Sequence, residues 1–402
     1  MEGVALACPR CDRRFSPGDR NTCPHHGGER PTLSVVYDVD ILRERYDPEQ
    51  TSRCDIWRYR PLLPVAGTEP VTLGEGWTDL VAADRLGSEL GIDLSLKLEG
   101  ANPSGSSKDR GSAVVATHAR ERGEGTIACA STGNAAASIA AYAACGDLSC
   151  SLFVPDPLPE TKAIQPRIYG ADVTTVAGTY ADAFERCHRA VEENGWLDRS
   201  AGATPYAPAG ARTLGFELAE QTAGFVPESL PAGHGGGVSS GNNGVPDWVV
   251  VPMGNGGIIE GVWKGLNTFE RLGYVERTPR LLGVQATNAS VIHDVFHGEA
   301  TGGDEHLPGT CADSIDVDSP RYLREACEAL QASGGTSVTV TEQAIRASIE
   351  RLGRTTGVFA EPASAAGIAG IESARERGIV DASDSVVAVI TGTGLKDVSW
   401  LE

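Results

Sequence analysis

Apolar segments alternate with alanine-rich or amphipathic segments through most of the chain after residue 33. Short apolar runs bounded by turn residues predict strands, and longer segments with helical spacing predict helices. The predicted strands are Leu94–Leu98, Thr126–Ala130, Ser151–Pro155, Asp172–Val176, Trp248–Val251, Arg280–Gln285 and Ser385–Thr391. The predicted helices are Gly111–Arg122, Asn134–Cys145, a stretch ending near Gly170, Tyr180–Asn194, Ile258–Leu272, Thr341–Gly353 and Ser364–Arg377. This alternation predicts an α/β protein whose parallel sheets are covered by helices on both faces.

The length of 402 residues is more than one hydrophobic core usually supports, which favours two domains. The Gly-, Ser- and Asn-rich stretch Gly233–Gly244 predicts a flexible surface loop without chemistry. No apolar run is long enough to span a bilayer, and the first thirty residues lack the apolar core of a secretory signal. The sequence therefore predicts a cytoplasmic protein without a membrane partner.

The net charge of −20 disfavours nucleic acid and anionic lipid as partners, because both are anionic. Arginine also strongly outnumbers lysine, since only five of the 34 Lys and Arg residues are Lys. Many carboxylates with few lysines favour adaptation to high salt, where repulsion between surface charges is screened. An ordinary acidic protein with an arginine-rich codon bias is the alternative.

The salt hypothesis predicts that molar KCl stabilises the fold. A thermal melt followed by circular dichroism in low and in molar KCl measures this directly. Equal melting temperatures in the two buffers would leave only the codon-bias explanation.

Ten cysteines occur, and two of them form the one CxxC pair, Cys8 and Cys11. A second knuckle eleven residues later offers Cys23 with either His25 or His26, and His26 restores the CxxX spacing. Thiolates and imidazoles in paired knuckles are the usual ligands of tetrahedral zinc. The spacing predicts a structural zinc site at Cys8, Cys11, Cys23 and His26, with a metal-free knuckle as the alternative. The remaining cysteines are interpreted as reduced, buried thiols.

Lys108 lies between a predicted strand and a predicted helix, in the loop Asn102-Pro-Ser-Gly-Ser-Ser-Lys-Asp-Arg-Gly111. Ligands of open α/β sheets bind at the carboxyl ends of strands, and a desolvated lysine there can attack an aldehyde. A phosphate-binding P-loop would need the spacing GxxxxGK[ST], which this loop does not have. A simple surface position is disfavoured, because a cation at a helix N-terminus opposes the helix dipole.

Three further loops follow predicted strands. Ser131, Thr132 and Asn134 open the helix Asn134–Cys145, where backbone N–H groups and hydroxyls suit a carboxylate. Gly254-Asn-Gly-Gly257 opens the next such helix and predicts a phosphate cradle. Thr391 lies at the end of the last predicted strand. Its neutral hydroxyl suits the pyridine nitrogen of an aromatic cofactor.

In this order the loops resemble those of the fold-type II pyridoxal-phosphate (PLP) enzymes, and within them the threonine synthase family. The resemblance covers about residues 55 to 400, and the matching segments are Trp57–Pro64, Val71–Gly76, Asn102–Gly111, Ser131–Ser138, Gly254–Gly257, Glu361–Ala366 and Thr391–Asp397. It implies Lys108 as the catalytic lysine that carries PLP as a Schiff base. It also implies cofactor contacts by Asn134, Gly254, Asn255, Gly256, Gly257 and Thr391, and substrate contacts by Ser131 and Thr132.

The sequence departs from the family where the substrate phosphate is held. Ala135 stands in place of the family's Thr, and Ala207 in place of the Arg of its NPYRxEGxKT segment. Losing these groups removes charge-assisted hydrogen bonds of about 1.5–3 kcal/mol each. Arg212 is predicted to turn inward and replace them, since an arginine offers the same fork of donors.

The resemblance implies two α/β domains, with residues 33–111 and 208–402 in the larger and 112–207 inserted as the smaller, after a zinc-ribbon-like segment at 1–32. It implies a homodimer that converts O-phosphohomoserine and water to threonine and phosphate. Because fold does not fix substrate, an ammonia-lyase acting on threonine or serine, or a β-replacement enzyme, remains the alternative. A non-catalytic nucleic-acid-binding protein is disfavoured by the acidic charge.

Overall fold

The computed structural model of the chain describes residues 1–27, 30–67, 69–225, 244–299 and 309–398. Residues 233–243 of the predicted loop Gly233–Gly244 lie outside these ranges. Within them the strands are β1 Val4–Ala7, β2 Arg14–Phe15, β3 Ser34–Tyr37, β4 Leu80–Ala82, β5 Asp93–Leu98, β6 Thr126–Ala130, β7 Ser149–Asp156, β8 Asp172–Ala177, β9 Leu197–Asp198, β10 Trp248–Pro252, β11 Arg280–Ala286, β12 Thr336–Val340 and β13 Ser385–Ile390.

The helices cover the sheets and carry the loops described below. They are α1 Val39–Arg43, α2 Asp84–Leu90, α3 Lys108–Arg122, α4 Asn134–Cys145, α5 Glu160–Ile168, α6 Tyr180–Asn194, α7 Tyr206–Ala223, α8 Gly257–Leu272, α9 Val291–His297, α10 Leu323–Ala332, α11 Glu342–Thr356 and α12 Pro362–Glu376. None of these helices combines the length and the hydropathy that a membrane crossing requires.

The larger sheet has the strand order β12-β11-β10-β13-β5-β4, and its strands run parallel except for β4, which is antiparallel to β5. Alternate residues of β10 enter different cores, as the two-residue period of a strand requires. Val249 and Val251 pack with helices α7, α8 and α10, whereas Trp248 and Val250 pack with α2, α11 and α12. Burial on both faces explains why these strands are continuous apolar runs in the sequence.

The smaller sheet has the order β8-β7-β6-β9 and is parallel throughout. It is also covered on both faces, because Ile127 and Cys129 of β6 pack with α3 and α4, and Ala128 and Ala130 pack with α6. The prediction of an α/β fold with parallel sheets is confirmed.

The N-terminal segment forms an antiparallel sheet in the order β2-β1-β3. Its third strand, β3, pairs with β1 from Val4↔Tyr37 to Ala7↔Ser34, so this small sheet continues beyond the boundary drawn after residue 32. The two boundaries drawn at 111 and 207 fall within α3 and α7. The division into domains stays a prediction.

A buried ionic cluster connects β5, α3 and α7. Arg110 donates from Nε and Nη2 to the two carboxylate oxygens of Glu99, at 2.7 and 2.6 Å, and from Nη2 to Glu217 at 2.7 Å. Lys97 donates from Nζ to Glu217 at 2.9 Å. Because these four side chains are fully buried, the cluster holds the start of α3 against the edge of the larger sheet.

Candidate active site

Lys108 is the first residue of α3, and the loop before it is held by the loop after β13. The N–H of Ser107 donates to the carbonyl of Thr391 at 2.9 Å, and the N–H of Thr393 donates to the carbonyl of Gly105 at 3.0 Å. Gly105 has φ +92°, and a Cβ there would lie 2.9 Å from the Thr393 side chain. Only glycine therefore allows this close approach, which fixes Lys108 at the carboxyl edge of the sheet.

The surroundings of Lys108 make its amine easier to deprotonate. Burial lowers the pKa of Lys108 to about 8, although the nearby Glu361 carboxylate opposes this shift. The positive charge of the Arg199 guanidinium contributes to this lowered pKa. A larger fraction of the amine is therefore neutral near pH 7 than in an ordinary lysine.

Residues 254–257 form a glycine-lined hollow between the end of β10 and the N-terminus of α8. A Cβ on Gly254 would lie 2.7 Å from the Ser314 carbonyl, and a Cβ on Gly256, which has φ +87°, would lie 2.9 Å from the Tyr322 carbonyl. Asn255 shapes the hollow, since its side-chain oxygen accepts from the Arg321 N–H at 3.2 Å. In the described part of the chain no side chain caps α8, so its first N–H groups are free to bind an anion such as a phosphate.

Glu361 joins the first residue of α4 to the residue that follows β13. Asn134 Nδ2 donates to Glu361 Oε2 at 2.7 Å, and Thr391 Oγ1 donates to Glu361 Oε1 at 2.8 Å. Ser364 Oγ lies 2.9 Å from Thr391 Oγ1. Burial raises the pKa of Glu361, and the hydrogen bonds from Asn134 and Thr391 together with the charge of Lys108 oppose that rise. Asn134 and Thr391, the two side chains predicted to contact the cofactor ring, thus both donate to the carboxylate of Glu361.

These elements surround one cleft with a cavity volume of about 160 Å³. Its lining brings together most of the predicted site residues, namely Lys108, Ser131, Gly254, Asn255, Gly256, Gly257 and Thr391. Thr132 and Asn134 line an adjoining small cavity, and Glu361 lines both. Ala135 and Ala207, the two positions where the sequence departs from the family, also line the main cleft.

The prediction that Arg212 turns into the cleft is wrong. Its side chain points to the N-terminal sheet, where Nη1 donates to the Val35 carbonyl at 2.8 Å and Nη2 donates to Ser34 Oγ at 3.1 Å. Ala207 and Ala211, one turn apart, form the face of α7 that lines the cleft. One further residue rotates the side chain by about 100°, which directs Arg212 to another face of the helix.

Arg199 and Glu361 are the charged residues of the cleft to which the sequence argument assigned no role. Arg199 directly follows the short parallel strand β9 and lines the cleft. Because ligands bind at the carboxyl ends of parallel strands, a cation at this position of the sequence could have marked it as a site residue. Glu361 lies at the N-cap of α12, before Pro362, and its role depends on contacts with residues 30 and 227 positions away.

The predicted zinc ligands converge in the N-terminal sheet. Cys8, Cys11, Cys23 and His26 present ligand atoms that all lie within 4.8 Å of one another. The Cys8 Sγ to His26 Nε2 distance is 3.3 Å and the Cys11 Sγ to Cys23 Sγ distance is 3.9 Å. A tetrahedron with Zn–S bonds of about 2.3 Å has edges of about 3.8 Å, so the four residues fit zinc. Burial raises the pKa of Cys8, but hydrogen bonds from the Arg10 and Cys11 backbone outweigh it and lower the pKa to about 6.

The fold and the cleft are those of a class of cofactor-dependent α/β enzymes, since a buried lysine and a glycine-lined hollow at a helix N-terminus line the same cavity. The family model described as pyridoxal-phosphate dependent enzyme matches residues 71–392, and the chain belongs to this family.

Within that family, curated threonine synthases match most of this chain. The threonine synthase of Methanocaldococcus jannaschii is 34% identical over 396 residues, covering 97% of this chain and 92% of that protein. The threonine synthase of Mycobacterium leprae is 36% identical over 341 residues, which cover 84% of this chain and 87% of that protein. A solved structure of threonine deaminase isoform 2 from Solanum lycopersicum superposes with a TM-score of 0.62 at 22% identity, covering 81% of this chain and 86% of that chain, and shares the fold. Sequence identity of this extent places the chain in the threonine synthase family.

Proposed function

We propose that this enzyme is a threonine synthase, a carbon–oxygen lyase that converts O-phospho-L-homoserine and water to L-threonine and inorganic phosphate. Two of its family relatives carry this name at 34% and 36% identity. The observation that carries the proposal is the cleft itself, which combines an amine of lowered pKa at Lys108, a glycine-lined hollow suited to a phosphate, and a second cation, Arg199.

The residues present fit PLP. Gly254–Gly257 and the N-terminus of α8 would hold its phosphate, because substitution of the glycines would fill the hollow. Lys108 would bind its aldehyde, while Asn134 and Thr391 would contact the ring oxygen and the ring nitrogen. When bound, the cofactor supplies an electron sink for charge that develops next to the substrate amine, and a neutral hydroxyl partner makes that sink milder.

Lys108 would move the protons of the reaction. Its pKa of about 8 lies close to physiological pH, so the amine can accept a proton from Cα or Cβ and return it, as efficient acid–base catalysis requires. The C–O bond at Cγ breaks with its electron pair leaving on phosphate, Cγ gains a proton, and water adds at Cβ. The helix N-terminus at Ser131, Thr132 and Asn134 would bind the substrate carboxylate.

Cofactor loading is expected to depend on pH with a midpoint near 8. Attack on an aldehyde requires the neutral amine, so the loading rate of apo-protein should rise to a plateau above about pH 8. Arg199→Gln removes a cation that disfavours the charged amine, so it should move the midpoint to higher pH. Growth of the visible absorbance band after mixing with PLP measures the rate. A rate still rising steeply at pH 10 would contradict the lowered pKa of Lys108.

An ammonia-lyase acting on threonine or serine is the second candidate. Ala135 and Ala207 line the cleft at positions where the family holds the substrate phosphate, and such a lyase needs no phosphate grip.

Phosphate and threonine release from O-phosphohomoserine by the PLP-loaded protein, in molar KCl, tests the proposal. Stoichiometric release of the two products is the expected result. Protein with a normal cofactor band that releases ammonia from threonine or serine, but no phosphate, would overturn the proposal in favour of the lyase.

We extend the proposal to a structural zinc ion, a homodimer, a cytoplasmic location and a smaller domain at 112–207. Paired knuckles and converging ligand atoms support the zinc. Family precedent alone supports the dimer.

Loss of zinc is expected to unfold the N-terminal sheet. Cys23→Ser removes a buried ligand, so purified variant should contain less than one zinc per chain where the wild type contains one. Elemental analysis measures this, with Cys145→Ser, outside the cluster, as the control. A wild type without metal, or a variant with full metal content, would contradict the assignment.

A further inference from the structure

Arg199 lies where the smaller sheet meets the cleft. It follows β9, and its backbone N–H donates to the Ala128 carbonyl at 2.9 Å, which places it beside the strand that leads to Ser131. Its residue exposure is 5%, yet its side chain lines the cleft together with Lys108. A buried guanidinium at this position is therefore directed to the space where a substrate would bind.

Among the residues that the structure describes, no side chain or carbonyl pairs with this guanidinium. Nε is buried without a hydrogen bond, and no ion pair of Arg199 occurs among the residues that the structure describes. The adjacent carboxylate of Asp198 is used elsewhere, because its Oδ1 accepts from the Ser200 N–H at 2.7 Å. The acidic residue of the cleft lining, Glu361, is bonded to Asn134 and Thr391. A buried, unpaired arginine is costly, which indicates that a bound anion completes the site.

The neighbouring positions explain why this cation matters. Ala135 and Ala207 give the cleft no hydrogen-bonding side chain at the two positions where the family holds a phosphate. Arg212, the other arginine nearby in the sequence, is held against Ser34 and Val35. Besides Lys108, Arg199 is the cation in the described lining of the cleft.

We propose that Arg199 binds the phosphate group of the substrate, so that the phosphate-binding cation of this enzyme lies at the end of β9 and not on α7. This inference rests on the proposed function and names the residue that makes it compatible with Ala207. An arginine fork donates two parallel hydrogen bonds to phosphate oxygens, and these strengthen as the C–O bond breaks and charge accumulates on the leaving group. Arg199 thus determines specificity for a phosphorylated substrate.

The test compares wild type, Arg199→Gln and Arg199→Lys as PLP-loaded enzymes. We expect Arg199→Gln to raise KM for O-phosphohomoserine by roughly 10- to 100-fold, as the loss of one or more charge-assisted hydrogen bonds implies. Binding of L-threonine, followed by the change in the cofactor band, should stay within about twofold of wild type, because threonine has no phosphate. Arg199→Lys should recover part of the loss, since it restores the charge but not the fork.

Arg186→Gln is the matched control. Arg186 lies on α6, with its guanidinium 5.5 Å from the Phe153 ring centroid and outside the cleft lining, so KM should not change. Equal weakening of threonine and O-phosphohomoserine in Arg199→Gln would assign Arg199 to the carboxylate, and weaker PLP binding would assign it to the cofactor. Either result overturns the inference, as does an unchanged KM.

Binding of inorganic phosphate separates this inference from the proposed function. Calorimetry on PLP-loaded wild type should detect one further phosphate site that Arg199→Gln weakens by about tenfold or more. If the wild type does not act on O-phosphohomoserine but keeps this site, the proposed function fails and the phosphate site at Arg199 stands. If wild type and Arg199→Gln bind phosphate equally, the inference fails whatever the activity.

Discussion

Replacing Lys108 with alanine is expected to abolish both the activity and the visible absorbance band of the cofactor. The amine of Lys108 is proposed both to bind the aldehyde and to transfer protons, and a positioned acid–base group alone contributes about 10²–10⁴-fold. We therefore expect turnover to fall by about 10⁴-fold or more, while the fold is retained because the side chain makes no structural hydrogen bond in the described part of the chain. Absorbance after dialysis against PLP and single-turnover phosphate release measure the two effects.

The other lysines supply the controls. Lys264→Gln, on α8, should keep both the band and the activity, because its Nζ donates to Ser34 of the N-terminal sheet. Lys396 lies closer, with its Nζ 3.0 Å from the Ser104 carbonyl in the loop that carries Lys108. A band that survives in Lys108→Ala and disappears in Lys396→Ala would assign the covalent role to Lys396.

Replacing Arg110 with methionine is expected to lower the free energy of unfolding by about 3–5 kcal/mol, the range for breaking one partner out of a buried ion pair. The substitution leaves Glu99 without its bidentate partner, and it leaves Glu217 with the Lys97 ammonium and the Trp77 N–H. It also loosens the first turn of α3, so activity should fall even where the protein is folded. Urea denaturation at constant KCl measures the stability, and Arg354→Met, an exposed arginine 3.9 Å from Glu350, should change it by less than about 1 kcal/mol.

The pH dependence of this loss provides a second test. Burial raises the pKa of Glu217, but Arg110 and Lys97 outweigh burial and lower that pKa to about 2. A lowered pKa in the folded state stabilises the fold above the unfolded value near 4.5, and this stability is lost as the pH falls through about 2. Without Arg110 the pKa of Glu217 rises, so the stability deficit of the variant should shrink as the pH falls from about 4.5 towards 2. If Arg110→Met lowers the free energy of unfolding by less than about 1 kcal/mol at pH 7, then Arg110 is not needed to balance the charges of Glu99 and Glu217.

The regular elements of the two parallel sheets follow closely from the sequence. The predicted strand Thr126–Ala130 and helices Asn134–Cys145 and Tyr180–Asn194 have the bounds that the structure gives them. Apolar runs report burial on both faces of a strand, and this burial is a local consequence of a parallel sheet. Helix α7 at Tyr206–Ala223 was missed, because it is buried nearly all round and shows no amphipathic period.

The loop proposed to bind phosphate and the loop that carries Lys108 were also predicted from the sequence. A glycine run or a lysine between a strand and a helix has a local geometry that few conformations satisfy, so Lys108 and Gly254–Gly257 could be singled out as candidates from their order and their resemblance to the family. The predicted zinc ligands belong to the same class, since short knuckles bring Cys8 and Cys11 close together.

Only the tertiary structure decided which charged side chains face the cleft. Arg212 and Arg199 lie thirteen positions apart, and the sequence favoured the one nearer the family motif. The rotation of α7 directs Arg212 to the N-terminal sheet, and the pairing of β9 with β6 directs Arg199 to Lys108 and Ser131. Glu361 meets Asn134 for the same reason, although 227 positions separate them. Side-chain direction depends on how elements pack, and packing between distant segments leaves no periodic signal in the chain.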